Sequence, residues 1–500
     1  MSEIVNNLGL GMSIALSPIN VMLCLIGALL GTLVGVLPGL GAVATIAMLL
    51  PITYGMDPIG ALIMLAGLYY GAQYGGSTTA ILVNIPGEVS SLVTTLDGYQ
   101  MARRGRAGAA LAIAAIGSFA AGCIATVLVA LFAVPLTSIA LVFGPPEYFS
   151  LMVLGLICAV VLTNASLVKS LVMIGAGLLL STVGADVQTG QNRLTLGLVE
   201  LADGIDFVVL TIGVFGFSEI LRNLESPEER AVLNQRVRNL MPTIKDLRDS
   251  APSILRGTGL GSLLGVLPGG GTILATYASY ILEKKISNTP EQFGQGAIQG
   301  VAGPESANNA AAQTSFIPLL SLGIPANAVM AMMVGAMMLH GLTPGPQIMT
   351  QQPGFFWAMI ASMWIGNLML LVINLPMVGI WVRLLKVPYR LLFPAITIFC
   401  CIGVYSAANS SFDVILTALF GFLGFMLVRF GFEVTPLVLA FVLGPMMEEN
   451  LRRAILMSYG DPLVFVEEPI SAAILVVAAF MLLIAILPTI RRGRVKVFAE

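Results

Sequence analysis

The sequence predicts an all-α polytopic membrane protein, built from two inverted-topology repeats with broken or re-entrant helices and roughly 10–12 spans. Three observations support this class: the composition, the distribution of Lys and Arg, and a pair of motifs that occurs twice. Of the 500 residues, 57% are hydrophobic and 10% are charged, whereas a soluble domain carries about 25% charged residues. Nearly uncharged stretches at 109–131, 355–372 and 470–487 approach the length of about 20 residues that crosses a bilayer.

Charge and cysteine content exclude several classes of protein. The formal net charge is −2, and Lys and Arg form no dense run outside loops, so no nucleic-acid partner is expected. The first basic residue is Arg103, so the amino terminus lacks the positive region of a signal peptide and reads as mature sequence. The cysteines lie in apolar segments without metal-ligand spacing, which predicts small buried side chains. They are Cys24, Cys123, Cys158, Cys400 and Cys401.

Short loops rich in Lys and Arg mark the cytoplasmic side of a membrane protein. The first basic cluster is 103–106, and Lys169 follows after two apolar stretches, near 107–134 and 147–163. Both basic positions are therefore predicted inside, and the amino terminus is predicted outside.

The next two apolar stretches are near 167–183 and 205–221, and they flank an outer loop before the chain returns inside at Arg222. The basic carboxyl-terminal tail is also predicted inside. The region 429–468 places basic residues beside acidic ones, and its charges fit no single path.

The charged segment 222–250 divides the chain into two halves. Its mixed charges and spaced Leu and Val residues predict an amphipathic helix on the cytoplasmic surface. We therefore assign 1–221 to a first transmembrane repeat and 222–252 to a cytoplasmic amphipathic connector. Residues 253–500 form a second, inverted transmembrane repeat with extra C-terminal helices.

Two short motifs occur twice. TLVGVLPGLG at 32–41 recurs as SLLGVLPGGG at 262–271, 230 residues later. Each copy precedes a second segment of small and polar residues, at 69–88 and at 301–327. We expect 19–53 to form a re-entrant or full hairpin with the first LPG motif at its tip.

The charges around the two copies differ in position. Asp57 follows the first LPG motif, whereas Lys284 and Lys285 follow the second. The cluster 103–106 follows the first polar segment, whereas 340–352 holds no Lys or Arg. The positive-inside rule therefore predicts that the halves are inverted, which is the recurrent plan of secondary transporters with a midplane site.

The repeated segments carry the candidate site. Proline and glycine leave backbone groups unpaired, and freed amides at helix N-termini attract anions. Helix breaks are predicted at Pro38, Pro86, Pro268 and Pro325. The candidate substrate-binding residues are Gly39, Gly75, Gly76, Ser77, Thr78, Thr79, Asn84, Gly269, Ser306, Asn308, Asn309 and Thr314. The candidate ion-coupling residues are Glu305, Asn308, Gly41 and Gly271.

Each of these residues has a second interpretation. Ser, Thr and Gly often serve helix packing in membranes. Glu88 either borders a break or lies in an aqueous loop, and His340 is either an interfacial histidine or a proton relay. The tryptophans Trp357, Trp364 and Trp381 read as packing or interface anchors. No cofactor is expected, and no metal beyond a coupling Na⁺.

The motifs together resemble those of the large membrane subunit of the tripartite tricarboxylate transporter family. The patterns are GxLPGxG at 35–41, YGGSTTAIL-N-PGE at 74–88 and GPE-ANNAA…LGIP at 303–325. The resemblance covers nearly the whole chain, including the charged connector. One local departure is Ala326, where the first copy has Gly87.

The resemblance implies a multi-pass subunit in a bacterial inner membrane that imports a di- or tricarboxylate. It also implies a periplasmic solute-binding protein, a small membrane subunit with about four spans, and energy from a Na⁺ or H⁺ gradient. The sequence agrees in holding no GxxxxGK[ST] phosphate loop.

Two other functions stay open at this point. A stand-alone ion exchanger or channel could use the same inverted fold, because broken helices also coordinate ions. A membrane-embedded enzyme acting on lipid is disfavoured, since the chain has one histidine and neither HExxH nor GxSxG. We therefore expect no enzymatic activity.

Overall fold

The structure is a computed structural model, and it describes residues 2–37, 41–162, 166–186, 188–225, 240–267, 271–384 and 389–486. About 81% of the protein is helical, which agrees with the predicted all-α class. In the described part, the strands form one antiparallel pair, β1 (Gly184–Ala185) and β2 (Asn192–Arg193). Connector residues 226–239 and the LPG tips at 38–40 and 268–270 lie outside the described residues.

The first half contains helices α1 to α10. Two π-helical turns, Ala102–Arg106 and Ile212–Phe217, join α5 to α6 and α9 to α10, and 3₁₀ turns lie at Val89–Ser91 and Val199–Leu201. The helices are α1 (Ser2–Ala15), α2 (Pro18–Val36), α3 (Ala42–Thr53), α4 (Pro58–Val83), α5 (Leu92–Met101), α6 (Ala107–Ala140), α7 (Pro145–Leu162), α8 (Leu167–Ser181), α9 (Phe207–Thr211) and α10 (Ser218–Glu225).

The second half contains helices α11 to α23, with a 3₁₀ turn at Pro290–Gln292. They are α11 (Ile244–Gly265), α12 (Gly271–Ile286), α13 (Gln299–Thr314), α14 (Phe316–Leu322), α15 (Ala328–Leu339), α16 (Gln347–Gln351), α17 (Pro353–Asn374), α18 (Val378–Leu384), α19 (Tyr389–Ala408), α20 (Ser411–Arg429), α21 (Thr435–Met457), α22 (Val464–Glu467) and α23 (Pro469–Ile486).

Five helical runs of the described chain are long and apolar enough to cross a bilayer. They are Pro18–Val36, Val89–Ala140, Phe207–Glu225, Pro353–Asn374 and Ser411–Arg429. Shorter apolar helices include Ala42–Thr53, Leu167–Ser181 and Pro469–Leu483. The chain is thus a multi-pass membrane protein, and the total of roughly 10–12 spans stays a prediction.

Local side-chain caps explain where two important helices begin. Asp57 Oδ2 accepts the backbone N–H groups of Ile59, at 3.1 Å, and Gly60, at 3.3 Å, just before α4. Thr243 and Asp246 form a reciprocal capping box at the start of α11. Helix α11 therefore begins inside the predicted connector and runs past its boundary at residue 252.

The first polar segment runs along the first LPG segment through closely packed glycines. A Cβ atom at Gly31 of α2 would overlap the carbonyl oxygen of Leu68 in α4. In the second half, a Cβ atom at Gly261 of α11 would overlap the carbonyl oxygen of Ala307 in α13. Small residues allow such close backbone contact in membranes. Of the two arms of the expected hairpin, α2 packs along α4 much more extensively than it contacts α3.

The second polar segments end alike in both halves. The C-cap residue of α4 is Asn84, with φ 62°, and the C-cap residue of α14 is Gly323, with φ 74°. Pro86 and Pro325 each follow two residues later. Asn84 and Gly323 are 239 residues apart, and so are Pro86 and Pro325. Helix α4 of the first half therefore corresponds to α13 and α14 of the second. Inversion across the bilayer stays a prediction.

The long helix after each hairpin packs on the opposite half. Helix α6 contacts α11 and α13, whereas α17 contacts α2 and α4. The other helices form an outer group, in which α7 packs on α21 and α23, and α20 packs on α10 and α19. Helix α3 meets this outer group at α19, and α15 meets it at α21.

The region 429–468 acquires a definite path in the structure. Lys169 Nζ at the start of α8 donates to the carbonyl of Phe430 at 2.5 Å. At the other end of α8, a Cβ atom at Gly444 of α21 would overlap Ser181. Helix α21 therefore runs parallel to α8, from the end of α20 toward the loop after Ser181.

A network of charged side chains lies where α21 approaches the loop after α8. Arg452 contacts Asp186 at 2.7 Å and Glu448 at 2.6 Å, and Arg193 contacts Glu448 at 2.7 Å. The backbone N–H of Thr189 and the Arg452 guanidinium hold the pKa of Asp186 well below its usual range. The network joins the loop of β1 and β2 to α21.

Candidate functional site

The LPG segments end one helix and begin the next in both halves. Helix α2 ends at Val36, and Gly41 is the N-cap residue of α3. Helix α11 ends at Gly265, and Gly271 is the first residue of α12. The remaining predicted tip residues, Pro38, Gly39, Pro268 and Gly269, lie outside the described residues.

Glu88 binds the first of these helix N-termini. Its Oε1 accepts the backbone N–H of Ala42, the first residue of α3, at 2.6 Å. A Cβ atom at Gly87 would overlap the carbonyl oxygen of Gly35, so this position requires glycine. The equivalent of Glu88 in the second half is Asn327, which instead caps α15 through Met330 N–H at 2.9 Å. A helix N-terminus is expected to bind a carboxylate, and at α3 that carboxylate is the side chain of Glu88 from the same chain.

The predicted segment from Gly75 to Thr79 lies within an unbroken helix, α4. Thr78 donates to the carbonyl of Tyr74 at 3.3 Å, and Thr79 donates to Val36 at 2.9 Å. A Cβ atom at Gly75 would overlap the carbonyl oxygen of Thr32, and one at Gly76 would lie 3.0 Å from the backbone nitrogen of Glu88. These contacts fit the packing interpretation.

Other predicted residues also have local partners. Ser306 and Thr314 donate to backbone carbonyls one turn earlier in α13, at 2.8 Å and 3.0 Å. The side chain of Asn84 is exposed at the end of α4, and Pro86 and Pro325 lie in the loops that follow α4 and α14. None of these side chains forms a hydrogen bond with the side chains of the buried cluster described next, among the described residues.

Glu305 lies at the centre of a buried polar cluster. Its side chain is 1% exposed, and its two carboxylate oxygens accept hydrogen bonds from Ser77 and from Thr94. Ser77 Oγ also lies 3.0 Å from the carbonyl oxygen of Gln73. Among the described residues, Glu305 forms no ion pair with Lys, Arg or His. A buried carboxylate without a positive partner is costly.

Two asparagines follow Glu305 on α13. Asn309 donates to Ser118 at 2.7 Å and to the carbonyl of Glu305 at 3.1 Å. Asn308 is fully buried, and neither its Nδ2 nor its Oδ1 has a hydrogen-bond partner in the described structure. Each unmet buried polar atom costs about 1–3 kcal/mol. Asn308 stands one turn from Glu305, and a ligand would satisfy its amide.

The structure adds residues that were not among the predicted site residues. Thr94 of α5 and Ser118 of α6 bind Glu305 and Asn309 directly. Gln313 joins Thr126 at 2.6 Å to Asn367 of α17 at 2.8 Å. A usable sequence signal was present, because isolated polar residues inside apolar helices are costly and mark functional positions.

The remaining predicted residues lie at a helix end or within helix contacts, and the buried Nε2 of His340 and Nε1 of Trp357 have no hydrogen-bond partner in the described structure. His340 is the C-cap residue of α15 and is part-exposed. Trp364 donates to the carbonyl of Cys123 at 3.3 Å, and Trp381 donates to Ile373 at 3.1 Å. The described residues contain no group of three His, Cys, Asp or Glu side chains that could hold a metal.

These features define a class of protein: a multi-pass helical membrane protein with a buried, largely uncharged polar cluster between two similar helical units, as expected of a solute transporter. Comparison with known families makes the class specific. The family model described as "Tripartite tricarboxylate transporter TctA family" matches residues 21–439. The chain belongs to this family, which is one of transporters.

Two relatives from Agrobacterium vitis are closely similar. The "Uncharacterized 52.8 kDa protein in TAR-I ttuC' 3'region" is 59% identical over 500 residues, which covers 100% of both chains. The "Uncharacterized protein in TAR-II ttuC' 3'region" is 60% identical over 240 residues, which is 48% of this chain and 99% of the relative. No solved structure matches the chain.

Proposed function

We propose that this chain is the translocating subunit of a binding-protein-dependent secondary transporter that imports a di- or tricarboxylate, driven by a Na⁺ or H⁺ gradient. The observation that carries the proposal is the pair Glu305 and Asn308. In the part of the chain that the structure describes, one is a buried carboxylate without a positive partner, and the other is a buried amide without any partner. Both deficits are removed if an ion and a solute bind here.

The substrate is held by uncharged groups in this proposal. Asn308 provides an amide donor and acceptor, and the N-terminus of α12 at Gly271 provides backbone N–H groups. The corresponding end of α3 is engaged by Glu88, so the second half contributes more to anion binding than the first. This asymmetry distinguishes the proposal from a symmetric site shared by both LPG segments.

Glu305 is the coupling site. Neutralisation by a cation or a proton removes the cost of a buried charge, and Ser77 and Thr94 fix the position of the carboxylate. Loading of the ion then favours entry of an anionic substrate, because the site no longer carries its own negative charge. Ion and substrate binding are coupled in this way.

Alternating access follows from a sliding of the repeated hairpins. Helices α2 to α5 and α11 to α15 form one unit through the α2–α4, α11–α13 and α5–α13 contacts. The outer group contacts this unit at α2, α3 and α15. We infer that the hairpin unit moves against the outer group and carries the midplane site across the bilayer.

The partners are a periplasmic solute-binding protein and a small membrane subunit. Family membership supports a tripartite assembly in a bacterial inner membrane, and the distribution of basic residues supports an orientation with the amino terminus in the periplasm. Delivery by the binding protein raises the substrate concentration at the periplasmic face, and the ion gradient drives accumulation without a nucleotide.

The test is uptake of labelled carboxylates, beginning with citrate, in vesicles that hold the chain with its small subunit and binding protein. Accumulation of intact substrate under an imposed Na⁺ or H⁺ gradient supports the proposal. Accumulation that requires ATP, or none with any di- or tricarboxylate, contradicts it.

A stand-alone ion exchanger or channel is the second candidate, because Glu305 and its hydroxyl partners could serve an ion without a solute. Omission of the binding protein separates the two. An exchanger or channel continues to move ions, whereas the proposed transporter loses substrate uptake.

A further inference from the structure

A small polar cavity lies beside Ser77, between α4, α6 and α17. Its volume is about 10 Å³, which is close to the space that one buried water requires. The cavity is lined by Tyr74, Ser77, Thr78, Leu111, Ala114, Ala115, Ser118 and Asn374.

Two polar atoms among its lining residues lack partners. The Tyr74 hydroxyl and Asn374 Oδ1 are buried and form no hydrogen bond in the described structure. Their residues are 4% and 6% exposed. Ser118 accepts a hydrogen bond from Asn309, and its own hydroxyl hydrogen can be donated to a water. A water in this cavity would have the two to four polar partners that hold buried water in proteins.

Ser77 stands between this cavity and Glu305. Its Oγ lies within hydrogen-bond reach of a Glu305 carboxylate oxygen and 3.0 Å from the carbonyl oxygen of Gln73. When Glu305 is ionised, Ser77 donates to it. When Glu305 is protonated, its O–H donates to Ser77, which turns its hydrogen to Gln73, while Thr94 donates to the other oxygen. The Glu305 carboxyl group and the hydroxyls of Ser77 and Thr94 are therefore hydrogen-bonded in both states.

We propose that the coupling ion is a proton carried by Glu305 and exchanged through Ser77 with water in this cavity. This inference rests on the proposed transport function. A proton that arrives on the water passes to Ser77 Oγ as the Ser77 hydroxyl hydrogen passes to Glu305. The water and the hydroxyl are regenerated, and the carboxylate becomes a carboxylic acid.

The ligand arrangement favours a proton over Na⁺. Hard cations gather about six or more oxygen ligands at fixed distances. At Glu305 the structure places two hydroxyls, one on each carboxylate oxygen, and both donate their hydrogens to it. A bound cation would require both hydroxyls to turn their hydrogens away from the carboxylate. Of the two, Ser77 has an alternative acceptor in the described structure, the backbone carbonyl of Gln73.

The charged and titratable groups on neighbouring elements are engaged elsewhere. Asp97 of α5 accepts hydrogen bonds from the Tyr280 hydroxyl, at 2.9 Å, and from the backbone N–H groups of residues 294, 296 and 297. Glu283 of α12 pairs with Arg256 of α11 at 2.6 Å. Glu88 binds the N-terminus of α3. Tyr74 of α4 is a further titratable group near Glu305, and it also interacts electrostatically with Cys123 of α6.

The first test is infrared difference spectroscopy on the purified full-length chain during a pH titration without Na⁺. We expect a protonated-carboxyl band that titrates, is absent in Glu305→Gln and changes frequency in Ser77→Ala. The control is Ser362→Ala, which removes a buried serine that bonds only within α17 and leaves the band unchanged. A band that persists in Glu305→Gln, or one that Na⁺ abolishes at constant pH, overturns the proton assignment.

The second test separates this inference from the transport proposal. In vesicles with both partner subunits, Glu305→Gln should lose accumulation of labelled citrate driven by a pH gradient, by at least tenfold, yet retain citrate exchange. Wild-type accumulation that follows a Na⁺ gradient alone refutes the proton while the transporter stands. A titrating Glu305 band in a chain that moves no carboxylate keeps the proton site and refutes the substrate.

Discussion

Two neighbouring asparagines on α13 differ in what their amides contact. Asn309 is held by two hydrogen bonds to Ser118 and Glu305, which supports a structural role for this side chain. Asn308 has no partner for either amide atom among the described residues. Buried amides without partners persist in proteins when a function requires them. The two positions therefore form a matched pair for mutagenesis.

We expect Asn308→Ala to reduce carboxylate uptake about tenfold or more, which corresponds to about 1.4 kcal/mol of lost binding. Its folding stability should be unchanged or higher, because two unmet polar atoms are removed. Asn309→Ala should lower stability by about 1–2 kcal/mol, since two hydrogen bonds are lost. Uptake assays and thermal unfolding in detergent measure both quantities. Destabilisation by Asn308→Ala with full uptake would contradict the assignment of Asn308 to the substrate.

At the scale of helices, the α11–α13 contact depends on glycines spaced one turn apart. A Cβ atom at Gly261 would overlap the backbone of Ala307, whereas one at Gly259 on the same helix would meet nothing within 4 Å. Backbone cannot yield as a side-chain end can, so an added methyl group at Gly261 must separate the helices.

Gly261→Ala should therefore lower stability by about 1–3 kcal/mol, and Gly259→Ala should leave it unchanged or raise it by about 0.5–1 kcal/mol through helix propensity. Thermal unfolding of the two variants in the same detergent provides the comparison. Equal unfolding temperatures would show that the close packing of α11 on α13 does not limit stability.

Sequence reasoning predicted much at this scale. The LPG segments, the long apolar helices and the polar segment of α13 were evident from proline, glycine and hydropathy. The pairing of α2 with α4 was not, because helices that are apolar on every side carry no signal for which face is buried. The partners of Glu305 were also hidden, since Ser77 and Thr94 precede it by 228 and 211 residues. Back-bonded hydroxyls such as Thr78 look identical in sequence to ligand-binding ones.

At the scale of the whole molecule, the charged network at Asp186 joins the loop after α8 to α21. The pKa of Asp186 is lowered in the folded protein. A group with a depressed folded pKa contributes stability above its unfolded value, about 3.9, and this contribution is lost as pH falls toward the folded value.

Asp186→Asn should therefore lower the unfolding temperature at neutral pH, and the difference from wild type should shrink below about pH 4. Thermal unfolding across a pH series tests this, with Asp203→Asn in the same exposed loop as the control. A difference that persists unchanged into acid would exclude ionised Asp186 as its cause.

The sliding of the hairpin unit against the outer group can be tested at the contact of α3 with α19. A Cβ atom at Gly403 would lie 3.5 Å from the Cβ of Pro51, which is within the range of a disulfide. In a chain whose five native cysteines are replaced, Pro51→Cys with Gly403→Cys should stop uptake on oxidation and recover it on reduction. Ser218→Cys with Gly424→Cys, whose Cβ atoms would lie 3.2 Å apart, joins two helices of the outer group and should leave uptake intact. Undiminished uptake with the first pair fully oxidised would show that α3 and α19 stay together during transport, and the moving boundary would then lie elsewhere.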